Sequence, residues 1–528
     1  MVLCLAYTSA ILAQGNQAGN SSSGTANSGT ANSGTAKADQ PAATLPAATF
    51  KVTTRMVTLE VVARDHRGQP VPGLTANDFQ VFEEIGWTKE KHPQKIAAFR
   101  AVSLADIAAQ DKGKIDTPPG VYTNLVTLQK NPVPPTVLLM DGLNTELASQ
   151  MQIHRQMIRM LASIPPDTPV AVFLLGRQLH LVQNFTTDPK LLQSALRKAS
   201  SLDTSGVDQV DPRDDPDSMS AFMANIPGVN LKALRQFERD AFAANIDLRV
   251  NTTVAALRTI ARYVAGYPGR KNLLWVSSSF PLAIDPGTAF GIEGMRNYAP
   301  QMEGVANELA LAKVAIYPMD PSGLDTSGVF KAGPQSGGSI FSGPQATDAI
   351  ERDDQRQLNR QQTMRVLAEQ TGGQVCVDNN NLADCVKRAI DDGSSFYEIS
   401  YYADASKWQG EFHKIIVKVS GSKAHLAYRQ GYYAQPEITE QKSVESELRQ
   451  AACYDLLTAT SIIVAARSLP SDANGNSKYI MVIDPSTLTF GTSPDGLRQL
   501  RLQIAACSFD KAGKPLDLVQ GGLSKNFS

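Results

Sequence analysis

Apolar positions along the chain group into runs whose period changes from region to region. Val137-Leu138-Leu139-Met140-Asp141, Val170 to Leu175 and Asn272 to Ser277 are short and almost unbroken in their apolar character. That is the profile of strands covered on both faces in a parallel sheet, so the three are expected side by side in the middle of one sheet. Leu179 to Phe185, Val314 to Pro318, Gln374 to Val377 and Phe396 to Tyr402 read as further strands of the same region. Between them the period becomes helical. Ile153, Met157, Met160, Leu161 and Ile164 form one stripe, ended by Pro165-Pro166. Leu191, Leu192, Ala195 and Leu196 follow the capping pair Asp188-Pro189, and Val250, Val254, Leu257, Ala261 and Val264 make a third stripe. Helices are also expected near Glu303 to Lys313, Gln361 to Gln370 and Leu382 to Asp391. Such alternation with short connections predicts an α/β fold, with ligands beyond the carboxyl ends of the strands.

On either side the pattern differs. Residues 1–14 pair a short apolar stretch with small residues at its end, as a secretory signal does, although no Lys or Arg precedes it. Residues 15–48 are mostly Gly, Ser, Asn, Thr and Ala with NSGTA repeated, a low-complexity linker or tether. Residues 49–105 alternate around turns and read as an N-terminal β module, and 106–132 as a second linker. The α/β domain is placed at 133–403 with an insertion at 200–230. That insertion carries Asp203, Asp208, Asp211, Asp214, Asp215 and Asp217 without the spacing of an EF-hand, and is read as a solvated loop. A β extension is expected at 404–435. A C-terminal β domain is expected over 436–528, cut short at its end.

Composition narrows the classes. At 528 residues with 42% hydrophobic, the chain has material for several cores. Lys plus Arg number 50 against 51 for Asp plus Glu, so the positive surplus that phosphate neutralisation needs is missing and nucleic acid is not an expected partner. No segment approaches about 18 continuous apolar residues, so no transmembrane segment is expected. Of five Cys, Cys4 would leave with a signal peptide. The other four are expected to pair within each domain, Cys376 with Cys385 and Cys453 with Cys507, the alternative being four free thiols.

The candidate chemistry sits at strand ends. Asp141-Gly142-Leu143-Asn144-Thr145 offers a carboxylate, an amide and a hydroxyl within five residues. Asp141, Asn144 and Thr145 are therefore the candidate metal-binding residues, and their hard oxygens point to Mg²⁺. The same residues also suit a helix start, with Asp141 satisfied by free N–H groups and Asn144 or Thr145 as the cap.

Several motifs occur in order: Gly73-Leu74-Thr75 with Asp78-Phe79, Leu138 to Thr145, Asn184-Phe185-Thr186-Thr187-Asp188, Pro268 to Ser277, Ala315-Ile316-Tyr317-Pro318 and Tyr428 to Tyr433. Together they resemble the von Willebrand factor type A (VWFA) related domains of the acidobacterial type, over about residues 53 to 435. The resemblance implies a Rossmann-like, doubly wound, mostly parallel sheet flanked by small β modules. It also implies a surface for protein ligands, in the wider family often completed by a metal-ion-dependent adhesion site of pattern Asp-x-Ser-x-Ser. Asp141 and Thr145 match the first and last members, while Leu143 stands in the middle. The second-loop Thr has only Thr204 and Ser205 near its place, and Ser277-Ser278-Ser279 stand where a third-loop Asp belongs. The implied site is degenerate, so no cofactor is assigned, and Mg²⁺ is expected to bind weakly or not at all.

No GxSxG, GxxxxGK[ST] or strand-linked GxGxxG occurs. His154 and His180 read as surface or packed residues. The expectation is a non-enzymatic, adhesion-type protein, secreted, periplasmic or at the cell surface, that binds a protein ligand. The alternative is a hydrolase using the strand-end polar residues, with a His near Ser277 to Ser279 as its signature.

Overall fold

The structure is a computed structural model that describes residues 54–86, 89–106, 118–124, 133–145, 157–158, 160–201, 220, 223, 226–277, 298–320, 364–377, 382–404, 409–421, 423–434, 441–454, 457–471, 478–485, 488, 490–492, 495 and 497–527. The signal and tether expected at 1–14 and 15–48, most of the 106–132 linker and of the 200–230 insertion, Thr204, Ser205, His154, Ser278 and Ser279 lie outside them.

Among the described residues the first strands are β1 (Thr54–Arg64), β2 (Phe79–Ile85), β3 (His92–Gln94), β4 (Ile96–Ser103) and β5 (Val121–Thr123). Next come β6 (Thr136–Asp141), β7 (Val170–Leu175), β8 (Leu179–Thr186), α1 (Pro189–Ser201), α2 (Leu231–Val264), β9 (Lys271–Val276), α3 (Ala299–Leu311), β10 (Val314–Met319) and α4 (Leu382–Ser394). Then follow β11 (Ser395–Asp404), β12 (Phe412–Val419), β13 (His425–Ala427), β14 (Gly431–Tyr433) and α5 (Gln441–Cys453). The last strands are β15 (Val464–Leu469), β16 (Lys478–Ile483), β17 (Gly491–Thr492), β18 (Arg498–Phe509) and β19 (Pro515–Phe527).

These strands build five sheets, and the expected Rossmann-like, doubly wound, mostly parallel architecture is corrected by their pairing. Four sheets are antiparallel in every pairing: β13-β1-β11-β4, β14-β12-β2-β3, β16-β15-β5 and β17-β18-β19. The fifth, β10-β9-β6-β7-β8, is mixed, because β8 runs antiparallel to β7. Two strands assigned to the parallel sheet belong elsewhere or are absent. Residues 396–402, now within β11, lie between β1 and β4 in an antiparallel sheet. Their alternation of Tyr397, Ile399 and Tyr401 with Glu398, Ser400 and Tyr402 suits a sheet with unlike faces. Residues 374–377 make only one isolated bridge, Met319 with Cys376. Gly373 explains the approach, since a Cβ there would lie 1.8 Å from the Ile316 carbonyl oxygen.

The three apolar runs at 137–140, 170–175 and 272–276 are adjacent and parallel as β9-β6-β7, and every residue of β6, β7, β9 and β10 is buried. Leu257, Ile260, Val264, Val305 and Leu309 from α2 and α3 pack on one face, and Leu196, Val386 and Ile390 from α1 and α4 pack on the other.

The β1 and β2 sheets enclose a separate core of Val57, Leu59, Val61, Phe79, Ile399, Tyr401, Ile415 and Tyr432. The N-terminal strands are thus completed by strands from after residue 395. Within this core Glu83 accepts hydrogen bonds from Tyr401 at 2.6 Å and Tyr432 at 2.8 Å, and His413 Nδ1 lies 3.1 Å from the Tyr432 hydroxyl.

Val121–Thr123, inside the segment read as a linker, pairs as β5 with β15. The 436–528 region also holds a helix, α5, whose Leu448, Ala452 and Cys453 pack against Ala505 and Cys507 of β18. Both expected disulfides are present, Cys376–Cys385 with Cα atoms 6.3 Å apart and Cys453–Cys507 at 5.5 Å, within the span a disulfide bridges.

Candidate functional site

Asp141 ends β6, and its side chain is buried, only 3% exposed. Just beyond it the backbone N–H groups of Gly142 and Leu143 both donate to the Leu175 carbonyl, at 2.9 and 3.0 Å. The chain therefore folds over the end of β7 and carries Asn144 back to the carboxylate. Asn144 donates its backbone N–H to Asp141 Oδ1 at 2.9 Å and its side-chain Nδ2 to Oδ2 at 2.8 Å. From the neighbouring strand, Trp275 Nε1 donates to the same Oδ2 at 3.0 Å. Ser277 lies beside the carboxylate and favours its charged form.

A carboxylate has about four lone-pair positions, and these donors take both on Oδ2 and one on Oδ1. Burial pushes the Asp141 pKa above the usual carboxylate range, while the hydrogen bonds from Asn144, Trp275 and Ser277 oppose the shift. Asn144 Nδ2 also reaches Thr253 Oγ1 on α2 at 3.0 Å, and Thr253 donates to the Arg249 carbonyl at 2.8 Å. Helix and strand end are thus joined through one amide.

Of the residues singled out from sequence, Asp141 and Asn144 are in direct contact, and Thr145 is buried next in sequence. Leu143 belongs to the core that includes Val250 and Leu257 of α2, so apolar packing occupies the place where the resemblance expects a hydroxyl. Ser277, 1% exposed, replaces a charge with a hydrogen-bonding hydroxyl. His180 lies on the exposed edge strand β8.

Sequence reasoning missed Trp275 and Thr253. A Trp in a fully buried strand needs an acceptor for its N–H, a signal that was legible. Thr253 had none beyond lying one position before the apolar stripe residue Val254.

The residues do not fit the Mg²⁺ that the resemblance implies. The acceptor left without a partner there is Asn144 Oδ1, which is neutral, and donors already take both lone-pair positions of Asp141 Oδ2 and one of Oδ1. Among the described residues no group of three or more His, Cys, Asp or Glu is placed to hold a metal ion.

No family model matches the chain, and no curated protein matches it. Among solved structures it is similar to an aerotolerance-related membrane protein from Bacteroides fragilis carrying multiple mutations to serines, at 10% identity and a TM-score of 0.25, covering 49% of this chain and 98% of that one. It is also similar to the conserved hypothetical protein BatB from Bacteroides thetaiotaomicron, at 11% identity and a TM-score of 0.21, over 49% of this chain and 96% of that one. A third is a point mutant of the PilB minor pilin from Streptococcus sanguinis, at 11% identity and a TM-score of 0.26, over 64% of this chain and 79% of that one. Likeness at these values carries no functional argument.

Proposed function

We propose that this is an exported, non-enzymatic, adhesion-type protein that binds a protein ligand at the carboxyl-end face of the β10-β9-β6-β7-β8 sheet, without a metal ion. The ordered motifs that resemble von Willebrand factor type A related proteins point to a protein ligand. Two disulfides, and the absence among the described residues of any helix long and apolar enough to cross a membrane, are compatible with an extracellular or periplasmic protein. The observation that carries the metal-free reading is that Asp141 is buried with three donors on its carboxylate. A divalent cation would meet one buried carboxylate already engaged by three donors, with no group of three acidic, His or Cys ligands around it among the described residues, while shedding its own water.

The experiment is isothermal titration of the full chain with Mg²⁺ and Mn²⁺, beside the Asp141→Ala variant. The proposal expects no binding at Asp141. Micromolar binding that disappears in Asp141→Ala would overturn it.

A further inference from the structure

We infer that the Cys376–Cys385 disulfide positions the strand-end site, making that face sensitive to thiol reduction; this rests on reading the face as the partner surface.

The disulfide joins α4 to the rim of the five-stranded sheet through a continuous chain of contacts. Cys385 lies in α4, which is held to the sheet by Leu382, Val386, Ala389 and Ile390. Cys376 lies beside the end of β10, where its N–H donates to the Pro318 carbonyl at 2.8 Å and its carbonyl accepts from Asp320 N at 3.0 Å. Between those two residues, the Met319 carbonyl accepts from Ser277 N at 3.2 Å. The Ser277 side chain in turn lies beside Asp141 and acts on its carboxylate. The path from the sulfur bridge to the carboxylate thus runs through Cys376, the end of β10 and Ser277.

Besides its two backbone hydrogen bonds to the end of β10 and its apolar packing, Cys376 is held by the disulfide. The segment leaving the 364–371 helix meets β10 through one isolated bridge rather than a ladder, so the covalent bond replaces the pairing that a strand would supply. Cys376 and Cys385 are 5% and 8% exposed, so a small dithiol reductant reaches the bond through local opening of the rim rather than in the closed structure. In that step the two thiols of the reductant lose two electrons and two protons and close into a disulfide, and Cys376 and Cys385 gain them as two thiols.

The test is hydrogen exchange on the intact chain. Oxidised protein, protein treated with dithiothreitol, the pair Cys376→Ser with Cys385→Ser, and the control pair Cys453→Ser with Cys507→Ser are compared. Opening of the rim should speed exchange of the Ser277, Asp320 and Asn144 amides by about tenfold or more in the first pair and on reduction. The amides of β7 should be unchanged throughout, and the control pair should leave the three rim amides as they are in oxidised protein. Unchanged exchange at Ser277 and Asn144 after loss of the first disulfide would overturn the inference. Uniform acceleration across β7 would overturn it as well, by showing a general stabilising role. Should the first double variant fail to fold, reduction of the control variant, which has only the Cys376–Cys385 bond to lose, gives the same reading. Since no partner enters the measurement, its failure is separate from failure of the protein-binding proposal.

Discussion

Trp275 of β9 donates its indole N–H to Asp141 of the adjacent β6 at 3.0 Å, so the largest side chain of the buried sheet is also a hydrogen-bond partner of its terminal carboxylate. Trp275→Phe keeps most of the apolar volume and removes one donor from a buried carboxylate. A loss of about 1–3 kcal/mol is expected in urea unfolding. Asp141→Ala leaves several donors without an acceptor at once and is expected to cost more than Trp275→Phe.

A second buried carboxylate links the two-sheet core to the mixed sheet. Asp392 of α4 is fully buried and accepts from Arg64 of β1 through Nε at 2.8 Å and from the Tyr317 hydroxyl of β10 at 2.9 Å. Tyr317 in turn accepts from Arg270 at 3.1 Å. Asp392→Ala leaves the Arg64 guanidinium, 12% exposed, without its carboxylate and the buried Tyr317 hydroxyl without its acceptor, and a loss of about 3–5 kcal/mol is expected from thermal or urea unfolding. Replacing the exposed Asp517 gives the comparison and should change little.

Lys271 begins β9 with its side chain buried, and Nζ reaches the carbonyls of Tyr267 at 2.9 Å and Ala265 at 3.5 Å. Burial, with Lys313 nearby, lowers its pKa from 10.5 to about 7. Between those values the unfolded chain binds a proton that the folded chain does not, so this group makes stability rise with pH across that window. Unfolding free energies measured from about pH 7 to 9 should climb in the native chain and flatten in Lys271→Met.

Glu83 has the opposite sense. Burial raises its pKa, but His413, whose Nδ1 lies 3.6 Å away, and the hydrogen bonds from Tyr401 and Tyr432 outweigh it and hold the carboxyl below its ordinary 4.5. The stability it contributes is fully present above 4.5 and is lost as the pH falls through its folded value. Acid unfolding followed by circular dichroism should therefore start at higher pH in Tyr401→Phe, which removes one of the donors.

Sequence made the centre of the mixed sheet legible because Val137 to Met140, Val170 to Leu175 and Leu273 to Val276 lack polar alternation and need cover on both sides. The sheet's extent was not legible. His180, Gln183 and Asn184 mark β8 as an edge strand, yet nothing local fixes its direction. The partner of Tyr397, Ile399 and Tyr401 lies more than 300 residues earlier in β1, as in Val57 with Tyr401. Helix α5 was missed although Val444, Leu448 and Ala452 recur at helical spacing, because the polar residues around them hid the stripe at the start of what read as a β domain. At the site, Asp141 and Asn144 were visible in five residues. Trp275 and Thr253 were brought to them by pairing and packing across the sheet.

The most direct measurement places a benzophenone amino acid at Arg177, exposed at the carboxyl end of β7, and a control at Thr187, exposed near its amino end. Each protein is irradiated, in the presence of a metal chelator, with an extract of the cells that make it. The account predicts a discrete protein adduct from position 177 that persists in chelator, and none from 187. Adducts that form at 177 only when Mg²⁺ is restored, or equally at both positions, would contradict a metal-independent partner surface at the strand ends.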